Sequence, residues 1–152
     1  MKLSWEKTEQ LIQATIEKIK SDGFTPDVLL MIGISGFIPA VFISKALHVK
    51  NIQYLVVSSY VGRISEKAKI VKAGPIDIKG KKVLVIDDIV ATGQTLDLAE
   101  GILKKYEPNE IKFAAPVVSA RICKRYPDYY GEAIMRDTND FITFPWDEYE
   151  HS

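Results

Sequence analysis

Apolar residues recur at helical spacing early in the chain, at Leu11, Ile12, Ile16 and Ile19 with Thr15 among them, behind Ser4, which can cap a helix N-terminus. Gly23 and Pro26 end that helix. The run VLLMI, Val28–Ile32, is continuously apolar and follows a turn, the pattern of a strand buried on both faces. A glycine-bearing loop, GISGF, comes next, and Pro39 suits the first turn of a second helix reaching about Leu47. Residues 54–58 and 82–87 read as the second and third strands and 111–118 as the fourth; Leu96, Ala99, Leu103 and Tyr106 mark an amphipathic helix before the last of these. Residues 62–75 carry Arg63, Lys67, Lys69 and Lys72 around few large apolar side chains and read as a long loop. Past about Pro127 the pattern weakens into a small C-terminal piece, with short strands expected at 129–134 and 141–144.

Strands alternating with helices at this spacing predict an α/β fold, a parallel twisted sheet flanked by helices, in a single domain spanning 1–152. In open parallel sheets ligands bind beyond the carboxyl ends of the strands. Two loops fall at such ends here, GISGF after the first strand and DDIVATGQT after the third.

Composition narrows the classes. The 152 residues are 47% hydrophobic and 26% charged, ordinary values for a globular chain. Twenty basic residues balance twenty acidic ones, and this neutrality gives no support to a nucleic-acid partner. Cys123 is the single cysteine, so no intramolecular disulfide forms. No apolar run approaches the ~18 residues of a membrane span, and MKLSWEKTEQ is too polar for a signal peptide, so a cytoplasmic protein without a membrane partner is expected.

DDIVATGQT carries the most chemistry. Ala91, Thr92, Gly93, Gln94 and Thr95 lead straight into a helix, whose free N–H groups and dipole make an anion site. Gly93 permits close backbone approach and the threonines add hydroxyl donors, so a phosphate fits; the competing reading is an ordinary strand-to-helix turn. Asp87 and Asp88 would repel a phosphate that touched them. They make sense as acceptors for sugar hydroxyls or as ligands of a divalent cation that carries further phosphate. The competing reading for them is a solvated strand end or a helix cap. The pair and the turn together imply one ligand with a phosphate, a diol and a metal-bound anion. A P-loop is absent, and Gly33 and Gly36 have the wrong spacing for a dinucleotide fingerprint.

VLVIDDIVATGQT resembles the ribose-diphosphate signature of the type I phosphoribosyltransferases: four apolar residues, two acids, two apolar residues, then a small-Thr-Gly-x-Thr turn. PDVLLMIGISGFIPA, YLVVSSYVGR, and YPDYYGEA with NDFITFPWDEY are similar to the purine-salvage branch that includes xanthine-guanine and hypoxanthine-guanine enzymes. The likeness runs from about residue 26 to residue 149.

The resemblance implies that fold, with a small C-terminal base-binding hood, and transfer of phosphoribosyl from phosphoribosyl diphosphate to a purine base, with magnesium (Mg2+) as cofactor. By that resemblance Asp87 and Asp88 are the catalytic pair and hold the ribose hydroxyls directly or through the metal. Ile89, Val90, Ala91, Thr92, Gly93, Gln94 and Thr95 complete the phosphoribosyl-diphosphate site, with 91–95 cradling the 5′-phosphate. Ser35 and Gly36 lie in the pyrophosphate loop, and 60–72 in a loop that closes over the reaction. Phe141 stacks on the base, Ile142 offers it backbone hydrogen bonds, and Asp88 and Asp147 hold the metal. Family relatives are dimers or tetramers, so a homo-oligomer is expected. Three positions depart from the oxopurine pattern. Ala91 stands where an aspartate commonly handles the N7 proton, although adenine relatives often carry alanine there. Ala120 stands in place of the lysine that reads O6, with Arg121 and Lys124 as candidate substitutes. The loop at Ser35–Gly36–Phe37 is short and lacks an arginine. Hypoxanthine, guanine or xanthine is the expected acceptor; adenine or another heterocycle, and a regulatory protein that binds without turnover, stand as alternatives.

Overall fold

Ser4 caps the first helix as its position predicts: its side chain accepts from the Lys7 N–H at 3.1 Å, and α1 runs Trp5–Ser21. Thr8 and Thr15 are buried on the inner face because each hydroxyl donates to the carbonyl four residues back, Ser4 O at 2.8 Å and Leu11 O at 2.9 Å. This computed structural model describes residues 1–58, 69–135 and 141–151. Within them lie strands β1 Val28–Ile32, β2 Ile52–Ser58, β3 Lys69–Ala73, β4 Lys82–Ile86, β5 Ile89–Val90, β6 Glu110–Ser119 and β7 Tyr129–Ile134. Helices α2 Phe37–Leu47 and α3 Gln94–Leu103 complete the regular structure, followed by 3₁₀ turns at Lys104–Tyr106 and Pro145–His151.

The described strands form one seven-stranded sheet in the order β3-β2-β1-β4-β6-β5, with β7 on the other edge of β6. All pairings are parallel except β2 with β3. Alternation along the central strands explains why VLLMI and VLVI are apolar throughout. Val28, Leu30, Ile32, Val83 and Val85 pack toward Leu96, Ala99 and Leu103 of α3. Leu29, Met31, Leu84 and Ile86 pack toward Ile12, Ile16 and Ile19 of α1 and Ala40 and Ile43 of α2. A third, smaller cluster joins Leu3, Leu11, Val117, Ile134 and Phe144, with Ile142 and Trp146 against it.

Four expectations change. The loop expected at 62–75 contains β3, an edge strand antiparallel to β2 with a register irregularity between Val56 and Val57; an edge strand pairs on one side only and needs no long apolar run. Residues 59–68 of that loop lie outside the described residues. β5 is a two-residue strand that no periodicity could announce. The segment 141–144 is not a strand: it makes one bridge, Lys2 with Thr143, because its partner is the short N-terminal segment, bonded through Leu3 N to Thr143 O at 2.9 Å and Thr143 N to Met1 O at 2.8 Å. β7 belongs to the main sheet and not to a separate C-terminal piece. Smaller shifts are the start of β2 at Ile52 and the end of α3 at Leu103.

A polar staple closes the end of the sheet where α1 finishes. Tyr129 donates its hydroxyl to Asp22 Oδ2, and Lys112 Nζ donates to the same oxygen at 3.0 Å and to the Tyr129 hydroxyl at 3.1 Å. The tyrosine hydrogen bond, with Lys112 beside it, holds Asp22 below the usual carboxylate range. Burial, followed by the carboxylate, pushes Tyr129 up to about 12. Asp22, being depressed, contributes stability above the unfolded carboxylate range and loses it as pH falls through its folded value; Tyr129, being raised, contributes below about 10 and loses it toward about 12. Thermal melts followed by circular dichroism will therefore show Tyr129→Phe less stable than wild type near pH 7, with the difference shrinking above pH ~10 and below pH ~4.

Candidate active site at the ends of β1 and β4

β4 and β5 follow one track along β6: Ile86 faces Ala114 and Ile89 faces Val117 in the same register. Asp87 and Asp88 fill the break between them. Asp87 N–H still donates to Ala114 O at 3.1 Å. A regular parallel ladder would return a bond to the Asp87 carbonyl from residue 116, but that residue is Pro116 and has no N–H. The strand stops, and the chain folds onto its own side chains. Asp88 N–H donates to Asp87 Oδ1 and Ile89 N–H to Asp88 Oδ1, both at 2.9 Å, which orients the carboxylates.

The pair is expensive in charge. Asp88 is 9% exposed and Asp87 partly buried. Burial raises Asp87 well above the ordinary carboxylate range, and the adjacent charge of Asp88 adds to the rise. Burial raises Asp88 as well, with Asp147 pushing the same way. Among the described residues no basic side chain contributes to either shift.

The other loop meets this pair. A Cβ placed on Gly33 would lie 3.8 Å from Asp87 Oδ1, and one on Gly36 would stand 2.8 Å from Ile86 O, so a larger residue at 36 would push the Ser35–Gly36 turn off the end of β4. Gly36 is the N-terminal flank of α2, and Ser35 O accepts the Ile38 N–H at 3.2 Å. On the far side of the acids, residues 91–93 turn into α3. Gly93 has φ +92°, and a Cβ there would meet Arg125 Cβ at 2.6 Å, so the turn needs glycine for both conformation and space. Thr92 and Gln94 are exposed, and Ala91 and Thr95 half-buried. Among the described residues no backbone acceptor faces the Thr95 and Leu96 N–H groups, so the helix start presents donors to an anion.

The C-terminal residues are placed less uniformly. Phe141 is 62% exposed, with its carbonyl bound to the terminal amine of Met1 at 2.6 Å; Ile142 is half-buried against the third cluster. Asp147 accepts the Phe144 N–H on Oδ2 at 2.6 Å, which commits one oxygen, while its charge reaches Asp88. Ala120 follows the last residue of β6 with its N–H on Ile134 O, and Arg121 and Lys124 come after it as exposed residues. Lys124 N–H donates to Thr92 O at 3.0 Å, placing the turn after β6 beside the helix start. The sequence reading missed Pro116 and Arg125. A proline inside an otherwise central strand is the one signal that could have revealed the break.

The donor set fits magnesium in one manner only. Among the described residues no group of three or more histidines, cysteines or carboxylates gathers into a metal cage. One or two carboxylates combined with phosphate oxygens are the usual Mg2+ environment, and a buried acid pair whose titration no described basic side chain shapes suits a divalent cation that arrives with its substrate. No described helix is long and apolar enough to cross a membrane.

With their pKa raised, the two acids favour the folded state at low pH and lose that contribution as pH rises through their folded values. The ligand-free variant Asp87→Asn/Asp88→Asn will therefore melt about 2–4 °C above wild type at pH 7, and calorimetry will show the gap closing as pH falls.

A phosphoribosyl transferase domain model matches residues 3–152. A xanthine-guanine phosphoribosyltransferase of Cereibacter sphaeroides is 26% identical over 152 residues, 95% of this chain and 85% of that protein. A hypoxanthine-guanine phosphoribosyltransferase of Streptococcus pyogenes is 34% identical over 123 residues, 74% of this chain and 65% of its own length. The crystal structure of a purine phosphoribosyltransferase from Pyrococcus horikoshii superposes with a TM-score of 0.79 at 32% identity, covering 96% of this chain and 92% of that one. The sheet order, the acid pair at the end of β4 and these matches agree, and the chain belongs to the phosphoribosyl transferase family, a family of pentosyltransferases.

Proposed function

We propose that this enzyme transfers the 5-phosphoribosyl group of phosphoribosyl diphosphate to a purine base, hypoxanthine, guanine or xanthine, giving the nucleotide and pyrophosphate. The observation that carries the reading is the juxtaposition of Asp87 and Asp88 with the open start of α3 on one side and the Ser35–Gly36 turn on the other. The activities for which the relatives described above are named support it.

In this reading the 5′-phosphate sits on the N–H groups and hydroxyls of 91–95, and the acid pair holds the ribose 2′- and 3′-hydroxyls. The 33–36 turn faces the diphosphate. Asp88 and Asp147 would hold Mg2+, which would supply charge neutralisation to the leaving diphosphate. The C1–O bond breaks with its electron pair passing to pyrophosphate, a ring nitrogen of the base bonds to C1 through its lone pair, and the proton on the base's other imidazole-ring nitrogen passes to solvent. Positive charge developing on the ribose is stabilised by the neighbouring carboxylates. Phe141, which is exposed, stacks on the base in this reading, and the Ile142 backbone reads its edge. The rest of the protein's contribution is positioning.

Ala91 favours a second reading, transfer to adenine, because adenine relatives often carry alanine at that position while oxopurine relatives commonly carry an aspartate. Incubation with phosphoribosyl diphosphate, magnesium and a panel of bases, with nucleotide and pyrophosphate measured, separates the two. Guanine, hypoxanthine or xanthine is consumed under the first reading and adenine alone under the second; binding without turnover of any base overturns both. In the same assay Asp87→Asn/Asp88→Asn loses turnover by at least ~10³-fold, and wild-type rates in that variant would refute the assignment of the acid pair. Ala91→Asp raises oxopurine turnover about tenfold or more, general acid–base assistance being worth ~10²–10⁴ when well placed; an unchanged rate would show that another group takes the proton.

A further inference from the structure

Asp97 stands in the first turn of α3, close to where the proposed site needs positive potential for a phosphate. An unmasked carboxylate there competes with the phosphate for the helix N-terminus and repels it. Arg125, from the β6–β7 connection, removes that conflict. One guanidinium nitrogen reaches Asp97 at 2.5 Å and the other Glu100 at 2.7 Å, a fork spanning two turns of the helix. The guanidinium also stacks 5.0 Å above the Phe113 ring of β6, and the side chain is 27% exposed. Its main chain is held just as closely. Arg125 backbone packs into the space a Cβ on Gly93 would occupy, Lys124 N–H donates to Thr92 O at 3.0 Å, and the Cys123 thiol donates to Arg125 O at 3.0 Å. A single residue thus touches the turn and the first two turns of the helix whose start forms the candidate phosphate cradle.

We infer that Arg125 is a positioning residue for the phosphate cradle: it pins the Thr92–Gly93 turn against the β6–β7 connection and masks the Asp97 carboxylate so that the start of α3 accepts a phosphate. The inference rests on the proposed placement of the 5′-phosphate at residues 91–95. It assigns to Arg125 an effect on phosphate affinity and none on the chemical step.

Calorimetric titration of the full chain with ribose 5-phosphate, together with KM for phosphoribosyl diphosphate and kcat, tests it. Arg125→Met weakens ribose 5-phosphate about three- to tenfold and raises KM in proportion, with kcat within about twofold of wild type. Adding Asp97→Asn to that variant recovers at least half of the lost affinity on a logarithmic scale, a charge-specific rescue that a merely structural role does not produce. Arg125→Lys keeps the charge but loses the fork, and falls between the two. If Arg125→Met fails to fold, Arg125→Lys carries the comparison, with the same rescue by Asp97→Asn. Wild-type affinity in Arg125→Met, or a loss that Asp97→Asn leaves untouched, overturns the inference alone. Failure of the wild-type chain to bind ribose 5-phosphate overturns the placement of the phosphate and the inference with it.

Discussion

Everything at the candidate site depends on an interruption in one parallel ladder. β4 and β5 share a register along β6, and a continuous strand would have carried Asp87 and Asp88 into it with their backbone groups paired. Pro116 withholds the donor that the Asp87 carbonyl would need, and the two acids turn their own side chains onto the Asp88 and Ile89 N–H groups. The break fixes two carboxylates side by side at the mouth of the sheet. It also releases the chain into the turn that starts α3.

That arrangement is held against its own electrostatics. Burial raises the pKa of both adjacent carboxylates, a cost in charge that a protein selected for stability alone would not keep. Their cost is borne by the apolar layers on both faces of the sheet, where β1 and β4 are buried along nearly their whole length. In the proposed reading, a cation arriving with the substrate would relieve the repulsion, and a diol would take up acceptor oxygens of the pair. The basic side chain at the other end of the site is used differently. Arg125 is turned onto the acids of α3, where it leaves the open helix start to an anion.

The C-terminal segment shows how a weakly patterned region gains its place. Residues 141–147 have little regular structure, and they are tied by the short N-terminal segment, by stacking of Trp146 on Phe144 with Trp5 nearby, and by the bond from Phe144 N–H to Asp147. These contacts join the two ends of the chain around α1. They leave Phe141 exposed beside a half-buried Ile142, which suits an aromatic that meets a flat ligand.

Local pattern determined much by itself. Ser4 and the spacing of Ile12, Ile16 and Ile19 set α1; the uninterrupted VLLMI and VLVI runs set two central strands; DDIVATGQT announced acids next to a helix start, and its signature named the family. Each is a short-range signal, in which capping, periodicity or a fixed φ depends on residues within one turn or strand. Tertiary structure decided what depends on a distant partner. β3 and β5 exist because β2 and β6 offer edges to them, and residues 141–144 fail to form a strand because only a short segment lies alongside. Pro116 matters to Asp87 only once β4 lies in register with β6. Arg125 is an unremarked cation in the sequence until the fold brings its backbone against Gly93 and its guanidinium onto Asp97 and Glu100, because complementary charge and close packing between remote segments leave no periodic trace in the chain.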